Sequence, residues 1–520
     1  MSAAHRNTSP EDRDSEPRNS AQLEAGRVHF GVKWTAISLF ALRFGRLFTT
    51  IVLARILTRE MFGLVTLSMA FIMAFQALRD VGFGHAYVQR KGLGPEEDQR
   101  AASTVFWVTS VLNVGMFCVG FAIAPYAAEQ FPKLEGLTPI LRGTFAVLLI
   151  EAFSMAPTAI LQKRLDFGHV AAGEMVGVAL NAVFSIALAC AGAGAWSIVL
   201  GTLGARLCQT LTVIRFAAWT PRCEFDRGLA REMFGFGKYL WGTSLLGASN
   251  KIVDKLLLGR IAGDAALGVY GNAYNLCTTA SKPLYSIVLR VAFPTMSRIQ
   301  DDVGALRAGF MRATSGIALL TVPLAVGLAL TASDFVVTVY GANWADMAPL
   351  TRVLAFYGLV MSIASVSGPV LMATGRPRAL FFFTLAGQVL LIGLLVAAGG
   401  HGTLGIAWAV LVAALLAEGA GFIWAASRVG LDLAAAFAPI ARSASAALVM
   451  GAVVRGVQWL VGEAVHPALR LTLAVIAGVA TFGAAAYALN RRDLEDALSD
   501  LRSVAGAKGR AKDDPSAIGV

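Results

Sequence analysis

The chain alternates between long apolar runs and short polar stretches from about residue 31 to residue 490. Each run comes close to the ~20 apolar residues that an α-helix needs to cross the hydrocarbon core of a bilayer. We count about fourteen such runs, near residues 32–53, 61–78, 102–123, 141–160, 175–193, 196–217, 239–258, 270–291, 313–332, 350–372, 379–398, 403–427, 438–461 and 469–489. The pattern predicts an all-α, polytopic membrane protein.

Composition agrees with a membrane-embedded body. Of the 520 residues, 56% are hydrophobic and 15% are charged, and the mean hydropathy is +0.64. Soluble domains usually carry about a quarter charged residues. The two ends differ from the body, because residues 1–30 are polar and residues 491–520 are rich in charge. We expect both to be cytoplasmic tails, the first of them disordered.

Positive charge is distributed unevenly along the chain. The formal net charge is +11, and strongly basic chains can bind nucleic acid. Here, however, about 30 of the 44 Lys and Arg residues fall in the two tails and in every second loop, as the positive-inside rule requires. We therefore predict a multi-pass protein of the bacterial inner (plasma) membrane with both termini cytoplasmic, and no nucleic-acid partner.

The first pair of spans recurs later in the chain. An offset of about 205 residues aligns Lys33-Trp34 with Lys238-Tyr239 and Phe62-Gly63-Leu64 with Leu267-Gly268-Val269. Six spans per copy give both copies the same orientation, as in transporters built from two lobes. We predict a six-helix lobe at 31–217, a cytoplasmic inter-lobe loop at 218–238, a second lobe at 239–427 and an additional helix pair at 428–490.

The first span carries two cations at membrane depth. Arg43 and Arg46 lie about 15–20 Å past Lys33 by the helical rise, near the middle of the bilayer. Together with Ser38 they fall on a polar face of about 140°. Ionisable residues inside spans are costly unless they face a cavity or a partner, so this face is a candidate binding surface.

The seventh span repeats this device. Its polar residues occupy a stripe of about 160° that holds Thr243, Asn250, Lys251, Asp254 and Lys255. Under the repeat, Arg46 matches Lys251. A guanidinium binds phosphate through two hydrogen bonds and an ammonium adds a point charge. We predict that residues Ser38, Arg43, Arg46, Thr243, Asn250, Lys251, Asp254 and Lys255 line a cationic, polar cavity for an anionic, pyrophosphate-bearing cargo.

Simpler interpretations of these charges stay open. The side chains can snorkel to the interface, and Lys251 can pair with Asp254 one helical turn away. We rank other cations in or near spans below the matched faces because each can reach an interface: Arg206, Lys282, Arg352 and Arg455.

Three acids lie inside or at the edge of spans. Glu151, Glu174 and Glu418 can bind a coupling ion, a proton or sodium, or can simply pair with neighbouring cations. The cysteines and histidines are scattered singly, so we predict no metal site. Motifs for nucleotide binding or hydrolysis are missing from the sequence, so we predict neither a cofactor nor an enzyme.

Three stretches resemble a known family of transporters. Residues 33–91, beginning KWTAISLFALRFGRLFTTIVLARIL, resemble the start of polysaccharide flippases of the Wzx type. DKLLLGRIAGDAALGVYGNAYNLC (254–277) and VLRVAFPTMSRIQDD (288–302) resemble their second half. On these blocks the chain is similar to the WzxC-like branch of the multidrug/oligosaccharidyl-lipid/polysaccharide exporter superfamily.

This resemblance implies a fold, a cargo and partners. The fold would be a V-shaped pair of six-helix lobes. The cargo would be a polyprenyl-pyrophosphate-linked oligosaccharide, carried by alternating access from the cytoplasmic to the periplasmic leaflet during exopolysaccharide, capsule or O-antigen assembly. Membrane lipids and the polysaccharide polymerase or export machinery would be its partners.

Other functions stay open at this point. A cation-coupled multidrug exporter of the same superfamily should carry mostly acids in its cavity, whereas the matched positions here are mostly basic. A lipid II flippase is a nearer alternative. From other classes, a membrane scaffold or a component of a glycan ligase or polymerase remains possible, although the short loops offer little for catalysis.

Overall fold

The computed structural model describes residues 42–90, 94–249, 252–279, 302–374, 376–462, 464–491 and 494–495, and these ranges contain helices and no strand. The helices are α1 (42–56), α2 (Arg59–Arg79), α3 (Phe83–Gln89), α4 (Pro95–Glu129), α5 (Leu137–Lys163), α6 (Phe167–Cys190), α7 (Trp196–Ala217), α8 (Arg227–Ser249), α9 (Val253–Ala262), α10 (264–279), α11 (Val303–Val339), α12 (Met347–Ala364), α13 (Ser367–Ala373), α14 (Pro377–Ala398), α15 (Gly402–Arg428), α16 (Leu433–Val461) and α17 (Pro467–Leu489). The predicted all-α fold is confirmed.

Many of these helices are long and apolar enough to cross a membrane. Ten helical segments in the described ranges meet that standard by length and composition, and one of them, Phe381–Arg428, contains both α14 and α15. Helices α1, α8 to α9 and α10 border residues outside the description, so the result is consistent with about fourteen spans. Large apolar side chains are exposed on α16 and α17, including Trp459 (81%) and Val479 (71%), as expected of lipid-facing helices.

Several helices extend beyond the apolar runs that predict them. Helix α4 has 35 residues and α11 has 37, because each continues into the polar interface. Asp302 caps the start of α11 by accepting hydrogen bonds from the backbone N–H groups of Gly304 and Ala305, and three acids occupy the first turn of α4. Both arrangements stabilise a helix N-terminus, which carries unpaired N–H groups.

One boundary of the sequence analysis differs from the structure. The segment predicted as an inter-lobe loop, 218–238, is helical from Arg227 onward. In the seventh span, predicted over 239–258, α8 is described to Ser249, and α9 begins at Val253 after Ile252 in a turn. Asn250 and Lys251 lie outside the described residues, so the polar stripe of this span stays a prediction.

The chain forms two compact units. The first unit contains residues up to Thr49, Phe75–Ala124 and Leu141–Gly242, and the second contains Thr50–Ala74, Pro125–Ile140 and the chain from Thr243 onward. Two segments of the predicted lobe at 31–217, residues 50–74 and 125–140, therefore belong to the second unit.

Long-range hydrogen bonds explain this assignment of the two segments. Trp344 donates from Nε1 to the carbonyl oxygen of Ala54 at 2.8 Å, and Lys133 donates to the carbonyl oxygen of Ile261 at 2.6 Å. Arg59 binds Asp346 at 2.6 Å. Tertiary contacts of this kind cannot be read from hydropathy.

The core of the first unit includes an apolar cluster around Tyr87 and a close contact between α6 and α7. Apolar side chains of α3, α4, α5 and α8 surround the buried Tyr87 ring. Burial raises the pKa of the Tyr87 phenol and the nearby Asp98 carboxylate raises it further, so the hydroxyl stays neutral and donates to Asp98 at 3.1 Å. Helices α6 and α7 pack closely through glycines: a Cβ at Gly173 would lie 2.8 Å from Val213.

The core of the second unit forms around α11. Its first half packs with α13, α15 and α16 around Phe310 and Phe422, and its middle packs with α16 and α17 around Met450. Arg470 of α17 donates from Nε to Asp334 of α11 at 2.8 Å. The two side chains are 18% and 4% exposed, so a buried ion pair fixes the additional C-terminal helix to the second unit.

The two copies of the repeat touch at equivalent positions within the second unit. Gly63 of α2 lies directly against the backbone of Asp264, and Gly268 of α10 lies against the carbonyl oxygen of Arg59. Under the offset of about 205 residues, Gly63 corresponds to Gly268 and Arg59 to Asp264. Equivalent residues that contact each other reciprocally are the mark of a two-fold relation. We call this contact the glycine seam.

Replacing Gly268 by alanine should therefore destabilise the protein. The added Cβ would overlap the Arg59 carbonyl oxygen, and overpacking of this kind costs about 1–3 kcal/mol. The matched control is Gly316→Ala in α11, where nothing lies within 4 Å of an added Cβ and where alanine should gain about 0.5–1 kcal/mol of helix stability. Thermal unfolding of both purified variants measures the difference, and equal midpoints would disprove close packing at the seam.

Candidate functional site

Glu151 lies at the centre of a buried polar cluster in the first unit. Its carboxylate accepts a hydrogen bond from Arg79 at 2.6 Å and from Gln76 at 3.1 Å to each oxygen. Arg79 also donates to the fully buried Asn113. The side chains of Arg79 and Glu151 are each only 10% exposed. The ion pair joins α2 to α5, and the bond from Arg79 to Asn113 adds α4. Loss of either charged partner would leave the other charge uncompensated in a low-dielectric interior.

Arg206 extends the cluster from α7. Its Nε lies 3.9 Å from a carboxylate oxygen of Glu151, and its Nη1 donates to Gln209 at 3.0 Å. Arg206 lies about 15 Å along the helix from Trp196, near the middle of α7. Its side chain is 40% exposed. An accessible guanidinium at this depth needs a water-filled cavity, because exposure to lipid would be too costly.

Arg43 and Arg46 of α1 belong to the same unit. The charges of Arg206, Glu174 and Arg43 all act on the Arg46 guanidinium, whose residue is exposed. Arg43 is half-buried, and its Nη1 nitrogen is buried without a hydrogen-bond partner in the described ranges. An unsatisfied buried donor of a charged group is expensive, so this nitrogen is a candidate for binding a ligand.

The cluster as a whole carries excess positive charge. Four arginines face two glutamates: Arg43, Arg46, Arg79 and Arg206 against Glu151 and Glu174. One arginine is neutralised by the short ion pair with Glu151, whereas the exposed guanidinium groups of α1 and α7 are accessible. Guanidinium groups can bind the oxygens of a phosphate or pyrophosphate through charge-assisted hydrogen bonds.

The structure thus brings Arg43 and Arg46 together with residues that the sequence analysis ranked low or passed over. Arg206 was attributed to snorkelling, and Arg79 was not singled out. The signal for Arg206 was its spacing of three residues from Gln209 in the middle of an apolar span, which places both on one face of α7. Arg79 gave no comparable signal, because it ends its helix.

The three acids proposed for ion coupling have different surroundings. Glu151 is 7% exposed, and Arg79 and Gln76 donate hydrogen bonds to its carboxylate. These contacts hold the side chain in place. Glu174 of α6 is half-buried and acts on Arg46. Glu418 of α15 is half-buried and belongs to the second unit. The carboxylate of Glu151 is therefore buried and bound by its partners, whereas Glu174 and Glu418 are accessible.

The second unit places Asp254 and Lys255 of α9 in a network of tyrosines. Asp254 is 1% exposed and accepts a hydrogen bond from the Tyr270 hydroxyl at 2.7 Å. Lys255 Nζ lies 3.3 Å from Asp254 and 4.3 Å from the centre of the Tyr274 ring. Tyr274 and Tyr357 share a hydrogen bond between their hydroxyls at 3.3 Å. Since Asp254 is already paired, its charge is compensated within the protein.

A cavity of about 280 Å³ opens beside this network. Its walls come from α8, α9, α10, α12, α14 and α15 and include Asp254, Tyr274, Tyr357, Phe383 and Glu418. Glu418 makes no hydrogen bond or ion pair with any residue in the part of the chain that the structure describes. Among its described lining residues, the cavity thus has aromatic side chains and one carboxylate, that of Glu418, without a partner.

The remaining predicted site residues lie outside this description. Ser38, Asn250 and Lys251 are not among the described residues, and only the backbone of Thr243 in α8 is described. The described ranges contain no group of three or more His, Cys, Asp or Glu side chains that could hold a metal ion.

The chain is similar to several proteins of bacterial polysaccharide synthesis. It is 28% identical to the teichuronic acid biosynthesis protein TuaB of Bacillus subtilis over 460 residues, which cover 87% of this chain and 93% of that protein. It is 28% identical to the lipopolysaccharide biosynthesis protein WzxC of Escherichia coli over 374 residues, 71% of this chain and 74% of that protein. The succinoglycan biosynthesis transport protein ExoT of Rhizobium meliloti is 25% identical over 374 residues, 71% of this chain and 74% of that protein.

Solved structures show the same fold. The lipid II flippase MurJ in an inward closed conformation superposes with a TM-score of 0.75 at 14% identity and covers 89% of this chain and 99% of its own. An inward-facing multidrug transporter of the MATE family, from the MOP superfamily, gives a TM-score of 0.63 at 15% identity over 76% of this chain and 98% of its own. At these identities the likeness concerns the fold alone.

A family model described as "Polysaccharide biosynthesis protein" matches residues 52–349, more than half of the chain. With the fold and the relatives above, this match settles the family assignment. The chain belongs to the polysaccharide biosynthesis protein family and is a multi-pass membrane protein with the fold of the MOP transporter superfamily.

Proposed function

We propose that this protein is a flippase that moves polyprenyl-pyrophosphate-linked oligosaccharide repeat units from the cytoplasmic to the periplasmic leaflet by alternating access. The relatives named for teichuronic acid, lipopolysaccharide and succinoglycan biosynthesis support a glycan cargo. The transporter fold supports movement across the bilayer. The polymerase or export machinery of the same pathway would receive the cargo on the far side.

The observation that carries this proposal is the cationic cluster of the first unit. Arg46 and Arg206 are accessible at membrane depth, and Arg43 keeps a buried donor unsatisfied. A pyrophosphate carries several acceptor oxygens and at least two negative charges, so it can satisfy these donors together. The cost of holding the guanidinium groups in the membrane is then offset when cargo binds.

The alternatives from the sequence analysis are less well supported. This cluster would repel the cationic compounds that a multidrug exporter carries. A lipid II flippase also moves a pyrophosphate-linked lipid, so the cluster suits it equally, and the names of the relatives favour polysaccharide units instead.

Glu174 offers a way to regulate cargo binding. Its negative charge acts on Arg46, so it competes with an anionic cargo for the same guanidinium. Loss of this charge would therefore strengthen cargo binding.

The first test is export complementation in a flippase-null strain by wild type, Arg46→Ala and Arg206→Ala at matched membrane abundance. Each loss removes a charge-assisted hydrogen bond of about 1.5–3 kcal/mol, which is roughly a 10- to 100-fold loss of cargo affinity. We expect lipid-linked units to accumulate on the cytoplasmic side. The control is Arg455→Ala, at an exposed position of α16 where the arginine donates a hydrogen bond to Gln458, and this variant should export normally. Full export by the Arg46/Arg206 double variant would contradict the proposed site.

The second test concerns Glu174→Gln. Because this substitution removes the charge that competes for Arg46, the glutamine variant in nanodiscs should bind polyprenyl pyrophosphate more tightly than wild type at the same pH and ionic strength. Glu135→Gln, at an exposed loop position, should bind as wild type does. Equal affinity of Glu174→Gln and wild type would rule out this carboxylate as a competitor of the cargo.

The third test concerns orientation. We propose that the protein lies in the bacterial inner membrane with both termini cytoplasmic, on the distribution of basic residues. Single cysteines at Gly136 and His401, in a variant whose native cysteines are replaced, should react with a membrane-impermeant maleimide in intact spheroplasts. A cysteine at Arg491 should react only after lysis. The reverse pattern would invert the topology and the direction of transport.

A further inference from the structure

The cavity of the second unit differs in chemistry from the cationic cluster of the first. Two tyrosine rings, Tyr274 and Tyr357, lie with their centres 5.6 Å apart and inclined by 35°, and Phe383 adds a third aromatic wall. Thr278 and Thr384 also line the cavity. Flat apolar faces combined with hydroxyl and carboxyl oxygens suit a ligand that has both apolar and hydroxylated surface.

The charge of the cavity limits what it can bind. Asp254 is compensated by Lys255 and by the hydroxyl of Tyr270. Glu418 is left as the uncompensated charge among the described wall residues. A phosphate or a uronate would therefore be repelled. A neutral donor is favoured instead, because hydroxyl groups that donate to a carboxylate form charge-assisted hydrogen bonds.

The size of the cavity limits the ligand further. A volume of about 280 Å³ lies at the lower end of small-molecule sites, which span roughly 300–1,000 Å³. Small residues form part of the wall, including Gly387 and Ala417. The cavity thus accommodates one ring rather than a whole oligosaccharide. Tyr274, Tyr357, Phe383 and Glu418 are each only half-buried, so a ring could contact them.

We propose that this cavity is a sugar subsite, which binds one neutral pyranose ring of the cargo. The ring lies against the aromatic wall of Tyr357, and its hydroxyl groups donate to the Glu418 carboxylate. This inference rests on the proposed function for its cargo. It adds a second recognition point, because the anionic end of the lipid-linked glycan binds arginines of the first unit. One of its sugars binds the second unit. Such a subsite would distinguish neutral sugars from acidic ones at that position.

The test uses wild-type protein in nanodiscs, titrated with methyl pyranosides of glucose, galactose and N-acetylglucosamine, and with glucuronate, at constant ionic strength. A ligand of about a dozen heavy atoms binds such a cavity with millimolar affinity. We expect a saturable thermal stabilisation by at least one neutral pyranoside and none by glucuronate. Glu418→Gln keeps the side-chain volume and should weaken binding about tenfold, the worth of one charge-assisted hydrogen bond.

Two further variants separate shape from chemistry. Tyr357→Ala removes the aromatic wall and should also weaken binding about tenfold, whereas Tyr357→Phe keeps the ring and should bind within about twofold of wild type. Arg46→Ala should bind the pyranoside normally while failing in export. This result would show that the subsite and the cationic cluster are separate sites.

Three outcomes would overturn the sugar subsite. The first is a lack of saturation by every neutral pyranoside up to about 100 mM. The second is equal stabilisation by glucuronate. The third is a Glu418-dependent response to sodium chloride over choline chloride without any response to sugar, which would make the cavity a cation site. In each case a loss of export in Arg46→Ala and Arg206→Ala would leave the proposed function standing, and normal export by both would remove that function's site independently.

Discussion

A guanidinium group inside a membrane must have a counter-charge or water, and the first unit is organised by this constraint. Glu151 satisfies it for Arg79 through a short ion pair, assisted by Gln76, with Asn113 as a further partner of the arginine. Because these side chains come from three helices, the same interaction that neutralises the charge also fixes the helices in place. Arg206 extends the network to a fourth helix.

The network does not neutralise all of the positive charge. Arg46 of α1 is exposed, and Arg43 has a buried nitrogen without a hydrogen-bond partner in the described ranges, while Glu174 opposes the charge of Arg46. A protein that needed only stability would be better served by apolar residues at these positions. The excess charge therefore points to an anionic ligand that completes the cluster, and a flippase for pyrophosphate-linked lipids supplies one.

The second unit shows the opposite balance. The described polar residues that line its cavity are tyrosines, threonines and carboxylates, and Lys255 is already paired with Asp254. Dividing recognition in this way separates two tasks. The pyrophosphate is common to all cargo of this chemical class, whereas a sugar differs from one glycan to the next. Strong electrostatic attraction at one site and selective hydrogen bonding at another can then be tuned independently.

The sequence by itself determined the membrane class and the all-α fold, because both follow from local hydropathy. The count of about fourteen spans is consistent with the ten candidate spans of the described residues, and the repeat and the membrane depth of Arg43 and Arg46 stay predictions. Only the tertiary structure decided which charges meet: that Arg206 joins the α1 arginines, that Glu151 is locked by Arg79, and that Asp254 pairs with Lys255 and Tyr270. It also decided that Gly63 and Gly268 form a seam. The physical reason is that hydropathy reports how one residue partitions between water and lipid, whereas a charge in a membrane depends on partners that are distant in sequence and adjacent only after the helices pack.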